Sequence, residues 1–150
     1  LLYNLNLNKR ELAKIGIKIG ADIPFFLYGG TCQVGGIGER IKPIKIKVPK
    51  FFVLFRFHQR IETKMMYGLY DKTGKDFLAI CENICPTIKK LKRYFGKFDL
   101  KLYLSGKGPT VFCKVNDYQL VKKIAEGCLE FNGDIFICHP KNEAIKIINA

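Results

Sequence analysis

The chain has 150 residues, of which 48% are hydrophobic and 13% aromatic, so it can bury a core and is not a disordered tail. Its formal net charge of +13 at pH 7 favours a negatively charged partner, such as a nucleic acid, an acidic membrane or a phosphorylated ligand. The lysines, however, lie on the polar faces of predicted strands and helices, without the aromatic or glycine-rich signatures of RNA-binding modules. We therefore expect no nucleic-acid partner. The absence of a long apolar stretch and of a signal peptide predicts a protein that is neither membrane-bound nor secreted.

The chain contains six cysteines, and their setting argues against disulfides. Three of them lie in strand-like runs, where cysteine acts as a small buried hydrophobe: Cys32, Cys113 and Cys138. Cys81 and Cys85 are one helical turn apart and would supply half of a metal site. No second cysteine pair has ligand spacing, and both histidines, His58 and His139, are isolated. The sequence therefore predicts no metal site and a reduced, intracellular protein.

The first predicted element is a helix in the stretch "LNLNKRELAKIGIKIG" (5–20). Asn8 is placed as its N-cap, and Glu11 follows three residues later, which is the spacing of a capping box. Gly20 is expected to end the helix. Apolar residues at helical spacing predict its buried face: Leu12, Ile15 and Ile19.

Asp22 follows this helix in the stretch "GADIPFFLYGG" (20–30), immediately before an apolar run that reads as extended. By itself, an aspartate here is best interpreted as a turn or capping residue that accepts backbone N–H bonds. The alternative is a catalytic base beside a binding cleft. Two strands then surround a glycine corner in "TCQVGGIGERIKPIKI" (31–46), and the segment 43–49, bounded by prolines, predicts a seam between two structural units.

From residue 51 the pattern restarts with "FFVLFRF", a strand of the kind that is buried on both faces. A helical stretch over 62–95, interrupted near Gly74 and at Pro86, comes next. The strands "FDLKLYLSG" and "PTVFCKV", an amphipathic helix over 117–133 and a last strand, "DIFICHP", complete the order. The inward residues of that helix are predicted to be Val121, Ile124, Ala125 and Cys128. This order predicts an α+β fold, with helices on one face of an antiparallel sheet.

The loop "SGKGPT" (105–110) lies between two of these strands and is not a P-loop. A P-loop needs a glycine five residues before its Gly-Lys pair, and here that position is occupied by Lys101. A P-loop also needs serine or threonine after the lysine, and the residue after Lys107 is Gly108. Its bare N–H groups are suited to a phosphate site. An ordinary hairpin with a lysine at its tip remains the alternative.

Four stretches taken together indicate a protein family far more specifically than this loop does alone: "ELAKIGIKIGADIPFFLYGG" (11–30), "GGIGERIKPI" (35–44), "IETKMMYGLYD" (61–71) and "LSGKGPTVF" (104–112). In order and spacing they resemble the 4-diphosphocytidyl-2-C-methyl-D-erythritol kinases. These belong to the GHMP group of small-molecule kinases, with galactokinase, homoserine kinase and mevalonate kinase. The resemblance covers nearly the whole chain and corresponds to the C-terminal part of the family's polypeptide.

The resemblance implies transfer of the γ-phosphate of ATP, accompanied by Mg²⁺, to the 2-hydroxyl of a cytidine-diphosphate methylerythritol, on the non-mevalonate route to isoprenoids. It also implies the end of an S5-like kinase domain over residues 1–49. A ferredoxin-like α/β sandwich over 50–150 would follow. Because the pathway occurs in bacteria and plastids, the expected location is the bacterial cytoplasm or a plastid-type organelle such as an apicoplast.

The family's catalytic aspartate corresponds to Asp22, its substrate-binding residues to Thr63 and Tyr67, and its phosphate-proximal loop to 105–108 (Ser105, Gly106, Lys107 and Gly108). In the family, the aromatic residue at position 67 stacks on cytosine. Two positions depart from the family pattern. Lys107 stands where a small hydroxyl residue is usual, and Glu62 stands in place of a serine.

The family's first motif, which carries a lysine, and its Gly-Ser-rich loop for the ATP phosphates have no match in this sequence. We therefore expect a fragment whose kinase activity resides in the complete polypeptide. Two other functions stay open: a basic anion- or RNA-binding module without catalysis, and a kinase of the same group that acts on another small alcohol. The sequence does not indicate an oligomeric state.

Overall fold

The computed structural model describes residues 6–143, which fall into two compact units. One unit takes residues 6–48 and 140–143, and the other is Pro49–His139. The predicted domains, 1–49 and 50–150, stay a prediction. Within the described range, no helix is both long enough and apolar enough to cross a membrane.

The first unit contains two helices and a two-stranded antiparallel sheet: α1 (Lys9–Ile19), α2 (Ile23–Tyr28), β1 (Cys32–Gly35) and β2 (Arg40–Pro43). The predicted capping box is confirmed, since Asn8 Oδ1 accepts from the N–H of Glu11 at 3.0 Å and Glu11 Oε2 accepts from the N–H of Asn8 at 2.8 Å. Gly20 caps the other end of α1, as predicted. The two predicted strands around the glycine corner are also confirmed.

The predicted buried face of α1 is wrong. Leu12, Ile15 and Ile19 are 36%, 49% and 74% exposed, whereas the buried positions are Ala13 and Gly16. The reason is close packing of α1 against α2, because a Cβ on Gly16 would come within 2.8 Å of the side chain of Ile23. Small residues therefore define the contact face.

The run after Asp22 is also not extended as predicted, because Ile23–Tyr28 forms the short helix α2. Pro24 lies in its first turn, where a missing N–H costs no intrahelical hydrogen bond. The helix ends at Gly29, whose φ of 68° suits glycine and whose N–H donates to the carbonyl of Phe25. Pro24 is therefore compatible with the start of a helix, although the same residue in a helix interior would interrupt it.

The second unit is built on a four-stranded antiparallel sheet in the order β4-β5-β3-β6. Its elements in chain order are β3 (Phe51–Phe57), α3 (Thr63–Thr73), α4 (Phe77–Ile84), α5 (Pro86–Gly96), β4 (Tyr103–Leu104), β5 (Val111–Val115), α6 (Tyr118–Cys128) and β6 (Gly133–Cys138). This order and strand arrangement are ferredoxin-like. The α+β fold class is confirmed.

The core of this unit lies between the central strand β3 and the helices. Val53, Phe55 and Phe57 point into it, in alternation with half-buried or exposed residues. Strand β3 is therefore fully buried on one face only, not on both as predicted. The helices supply the opposite side of the core through Met66, Ile80, Ile88, Leu91, Phe95, Val121 and Ile124.

Several predictions about the helices of this unit are confirmed. The helical stretch is interrupted at Gly74, which has a φ of 63°, and again at Pro86, the first residue of α5. Val121, Ile124 and Cys128 are buried on α6, with Ala125 half-buried. The strand predicted from Phe98 is reduced to Tyr103–Leu104, because the N–H groups of residues 97–100 turn back to carbonyls at the end of α5.

Candidate active site

Asp22 lies in the first unit, immediately before the first residue of α2. Its side chain is exposed and forms no capping hydrogen bond with the helix. The backbone of Asp22 is itself helical, with φ −84° and ψ −18°, unlike the extended N-caps Asn8, Asp76 and Asp117, whose side chains do accept backbone N–H bonds. The turn or capping interpretation of Asp22 therefore lacks the hydrogen bond on which it depends.

The glycine corner packs against the backbone next to Asp22. Gly38 is buried and has a φ of 116°, and a Cβ at this position would overlap the carbonyl oxygen of Ala21. Only glycine fits such a close approach. The β1–β2 turn thus holds the chain on one side of Asp22, and Pro24 fixes a backbone angle on the other. The carboxylate does not cap α2, and its backbone is well supported.

The loop 105–110 lies in the second unit and joins β4 to β5. The N–H of Ser105 donates to the carbonyl of Thr110 at 2.9 Å, and the N–H of Gly108 donates to the carbonyl of Ser105 at 3.1 Å. Gly106 and Gly108 have φ angles of 58° and 82°. A Cβ at Gly108 would come within 2.8 Å of Cys81 and of Leu104, so this glycine allows the loop to lie directly on α4.

Lys107 connects this loop to the start of α3. Its Nζ donates a hydrogen bond to Oγ1 of Thr63, and its carbonyl accepts a weak hydrogen bond from the Cys81 thiol at 3.6 Å. The structure therefore brings two of the predicted site residues, Thr63 and Lys107, into contact. Sequence alone indicated no such contact, because 44 residues separate the two positions.

Tyr67 lies one turn after Thr63 on α3 and is 53% exposed. Its ring packs edge-on against Phe77, with 5.3 Å between the ring centroids. The buried residue of this turn is its neighbour Met66. Tyr67 is thus not a core residue, and about half of its surface is exposed and available for stacking.

A cavity of about 530 Å³ opens beside Lys107. It is lined by residues 56–61, which end β3 and lead towards α3, and by residues 107–110 of the loop. Sequence reasoning missed its basic members, Arg56, His58 and Arg60. Their spacing of two residues was the available signal, because alternate residues of an extended segment share a side.

Arg56 and His58 share one partner on the neighbouring strand, Asp134. Nε and Nη2 of Arg56 donate to Oδ2 of Asp134 at 3.0 and 2.7 Å, and Nε2 of His58 lies 3.3 Å from its Oδ1. The pair arises from the sheet register, which places Arg56 opposite Asp134. The hydrogen bond from Arg56, followed by that from His58, holds the pKa of the Asp134 carboxyl below its ordinary value.

The cysteines are packing residues. All six are free thiols, and four are buried: Cys81, Cys85, Cys113 and Cys128. Burial raises the pKa of Cys81 and of Cys113 to about 11 and that of Cys128 to about 12, so these thiols stay neutral near pH 7. Of the residues predicted to be buried in strands, Cys32 and Cys138 are only half-buried. Within residues 6–143 no three His, Cys, Asp or Glu side chains form a candidate metal cluster.

No family model matches the chain. It is 30% identical over 170 residues to the 4-diphosphocytidyl-2-C-methyl-D-erythritol kinase of Brevibacillus brevis, a match that covers 91% of this chain and 56% of that protein. The kinase of the same name from Carboxydothermus hydrogenoformans is 50% identical over 100 residues, or 67% of this chain and 33% of its own length. The one from Variovorax paradoxus is 27% identical over 148 residues, or 76% of this chain and 50% of its own length. The predicted resemblance to these kinases is confirmed.

Solved structures agree with this relationship at the level of the fold. A crystal structure of 4-(cytidine 5'-diphospho)-2C-methyl-D-erythritol kinase matches with a TM-score of 0.69 and 22% identity, covering 91% of this chain and 58% of that one. A homoserine kinase from Cytophaga hutchinsonii matches with a TM-score of 0.62 and 15% identity, covering 82% of this chain and 52% of that one. The chain spans about half the length of the curated relatives it matches.

Proposed function

We propose that this chain is part of an ATP-dependent kinase that phosphorylates the 2-hydroxyl of 4-diphosphocytidyl-2-C-methyl-D-erythritol, in the formation of isoprenoid precursors by the non-mevalonate route. The observation that carries the proposal is the 30% identity, across 91% of the chain, to a protein that bears this kinase name. The ferredoxin-like second unit and the match to a solved kinase of the same type support it.

Asp22 is the proposed catalytic residue. A carboxylate near the acceptor hydroxyl can take its proton as the oxygen attacks phosphorus, and phosphoryl transfer depends strongly on positioning. Two observations support this role: the side chain of Asp22 is not used as a cap, and Gly38 packs against the residue that precedes it. A base needs a carboxylate that is not used as a cap and that stands on a fixed backbone.

The second unit supplies the proposed binding residues. Tyr67 offers an exposed ring on which cytosine can stack, and Thr63 lies one helical turn away. The loop 105–108, which Lys107 connects to Thr63, is assigned to a phosphate group. The contact between Lys107 and Thr63 supports a shared site for nucleotide recognition.

ATP is the proposed co-substrate, and Mg²⁺ would enter with it. This ion usually keeps several waters and binds through one or two carboxylates together with the phosphates of the substrate. A cage made entirely of protein ligands is therefore not required. Bound to the phosphates of ATP, the ion would neutralise charge that develops during transfer.

The test is a kinase assay on the gene product that carries this chain. We expect ADP to form with 4-diphosphocytidyl-2-C-methyl-D-erythritol and ATP, at a kcat/KM far above that with homoserine or mevalonate. Faster turnover of one of the other alcohols would reject the proposed substrate. No turnover of any of them, together with RNA binding by the same preparation, would favour a binding module instead.

A further inference from the structure

The cavity lined by residues 56–61 and 107–110, hereafter the cationic cavity, has an unbalanced charge. Its lining includes Arg56, Arg60 and Lys107 together with His58, and none of the described residues that line it is acidic. Asp134 neutralises about one of these charges from the neighbouring strand. The remaining positive charges face a common space, which attracts an anion more strongly than lysines scattered over a surface do.

The basic side chains keep hydrogen-bond donors for a ligand. Arg56 uses two of the five N–H groups of a guanidinium on Asp134, and Lys107 uses one of its three on Thr63. Arg60 forms no hydrogen bond or ion pair with another residue of the described range. Because Asp134 also holds His58, one wall of the cavity is already oriented before any ligand binds.

The size of the cavity points to a small ligand. Its volume of about 530 Å³ falls in the range of typical small-molecule sites, and exceeds what one phosphate fills. The cations also come from two separate segments, 56–60 and Lys107, which line the same space. This arrangement suits an anion with charge at both ends better than a polymer that lies on a surface.

We propose that the cationic cavity binds the diphosphate group of a nucleotide, with Arg60 and Lys107 as the principal donors and Arg56 and His58 as the wall held by Asp134. The proposal rests on the proposed function for the kind of ligand, but not for the existence of the site. None of the four stretches that resemble the kinase family includes Arg56, His58 or Arg60. The site therefore extends the phosphate contacts of the loop 105–108, which supplies Lys107, by the side chains of residues 56–60.

The experiment is an NMR titration of the 150-residue chain with inorganic pyrophosphate at low salt. The chain has two histidines, which gives a site-specific signal and an internal reference. His58 lines the cavity, whereas His139 packs against Phe51 with 4.8 Å between ring centroids and does not line it. We expect a saturable shift of the His58 imidazole signals, unchanged His139 signals, and weaker binding as salt is added.

Variants make the assignment specific. Arg60→Ala should raise the Kd of pyrophosphate about tenfold or more, because a hydrogen bond between charged groups is lost. The Kd of Arg60→Lys should lie between those of the wild type and of Arg60→Ala. Arg93→Ala is the matched control, since Arg93 is an exposed arginine of α5 outside the cavity. Equal shifts of both histidines, or equal affinity in Arg60→Ala and Arg93→Ala, would overturn the proposal.

Two further titrations, with CDP and with ATP, identify the source of the diphosphate. The nucleotide that saturates the His58 shift at the lower concentration is the natural source, and either result supports the site. If pyrophosphate and both nucleotides leave His58 unchanged, the cavity is not a diphosphate site. A chain that binds pyrophosphate at His58, while its gene product lacks kinase activity, would instead contradict only the proposed function.

Discussion

The two units are stabilised in different ways. Every member of the hydrophobic core cluster belongs to the second unit, where β3 packs on the helices. In the described part of the first unit, the buried apolar side chains are the small ones of Ala13 and Pro24, and large apolar residues are exposed: Leu12, Ile15, Ile19, Phe26, Val34 and Ile37. The contacts described within that unit are local ones, namely a capping box, a hairpin and glycines that allow close backbone contact.

Replacing one phenylalanine in each unit tests whether large side chains contribute more to stability in the second unit than in the first. Phe55→Ala removes a fully buried ring from the centre of the second unit and should cost about 3–5 kcal/mol of unfolding free energy. Phe26→Ala removes a ring that is 50% exposed in the first unit and should cost about 1 kcal/mol or less. Urea unfolding followed by circular dichroism measures both, and similar losses for the two variants would contradict the difference.

Replacing Asp22 tests whether the first unit, which is less densely packed, contains the catalytic residue. Asp22→Asn keeps the shape of the side chain but cannot accept a proton, so kcat of the gene product should fall about 10²–10⁴-fold. Unfolding free energy should change by less than about 1 kcal/mol, because Asp22 makes no capping hydrogen bond.

The matched control is Asp117, which does cap α6 by accepting from the N–H groups of Gln119 and Leu120. Asp117→Ala should lower stability by about 0.5–2 kcal/mol and leave kcat nearly unchanged. Asp22 would be a structural turn residue if its asparagine variant kept a kcat near that of the wild type.

Sequence predicted the second unit better than the first for a physical reason. In α6 and in the helices around Gly74 and Pro86, large apolar side chains both set the period and fill the core, so the pattern and the packing agree. In α1 the contact is made by Ala13 and Gly16, which a search for large apolar residues passes over. In α2, Pro24 is compatible both with an extended segment and with the first turn of a helix, and only tertiary packing decides between the two conformations.

The candidate site was predictable only in part. Motifs indicated Asp22, Thr63, Tyr67 and the loop 105–108, because each lies within a short recognisable stretch. The hydrogen bond between Thr63 and Lys107 depends on how the sheet and α3 bring distant segments together, which no local pattern encodes. The cationic cavity is formed in the same way, from two segments far apart in the chain.

Two tyrosines on α3 sharpen the comparison within the second unit. Tyr67 and Tyr70 are 53% and 46% exposed, and both rings lie 5.3 Å from that of Phe77 between centroids. Loss of a base-stacking ring costs about 1–3 kcal/mol, so Tyr67→Ala should raise KM for the cytidine substrate about 5–150-fold, with a much smaller change in KM for ATP. Tyr70→Ala should affect stability to a similar extent but leave both KM values nearly unchanged. Equal effects of the two variants on KM would place stacking elsewhere.

The smallest expected effect compares two exposed carboxylates, one in each unit. The backbone N–H groups of Glu39 itself and of Ile37, the latter at 2.8 Å, hold the pKa of the Glu39 carboxyl below its ordinary value in the first unit. In the second unit the side chain of Arg56 is the main cause of the lowered pKa of Asp134. In both cases the folded pKa lies below the unfolded one. Each carboxylate therefore adds stability above its unfolded pKa, and this contribution is lost as the pH falls through the folded pKa.

The cause of each shift predicts a different response to salt. We expect the stability advantage of the wild type over Asp134→Asn to be present at pH 7, to be lost in acid as the pH falls through the lowered pKa of Asp134, and to shrink at 1 M NaCl because the ion pair with Arg56 is exposed. The advantage over Glu39→Gln should show the same loss in acid but a weaker dependence on salt, since its main partners are backbone N–H groups. Urea unfolding of both variants at several pH values and two salt concentrations measures these differences. An advantage over Asp134→Asn that did not change with salt would mean that Arg56 is not the main cause of the lowered pKa of Asp134.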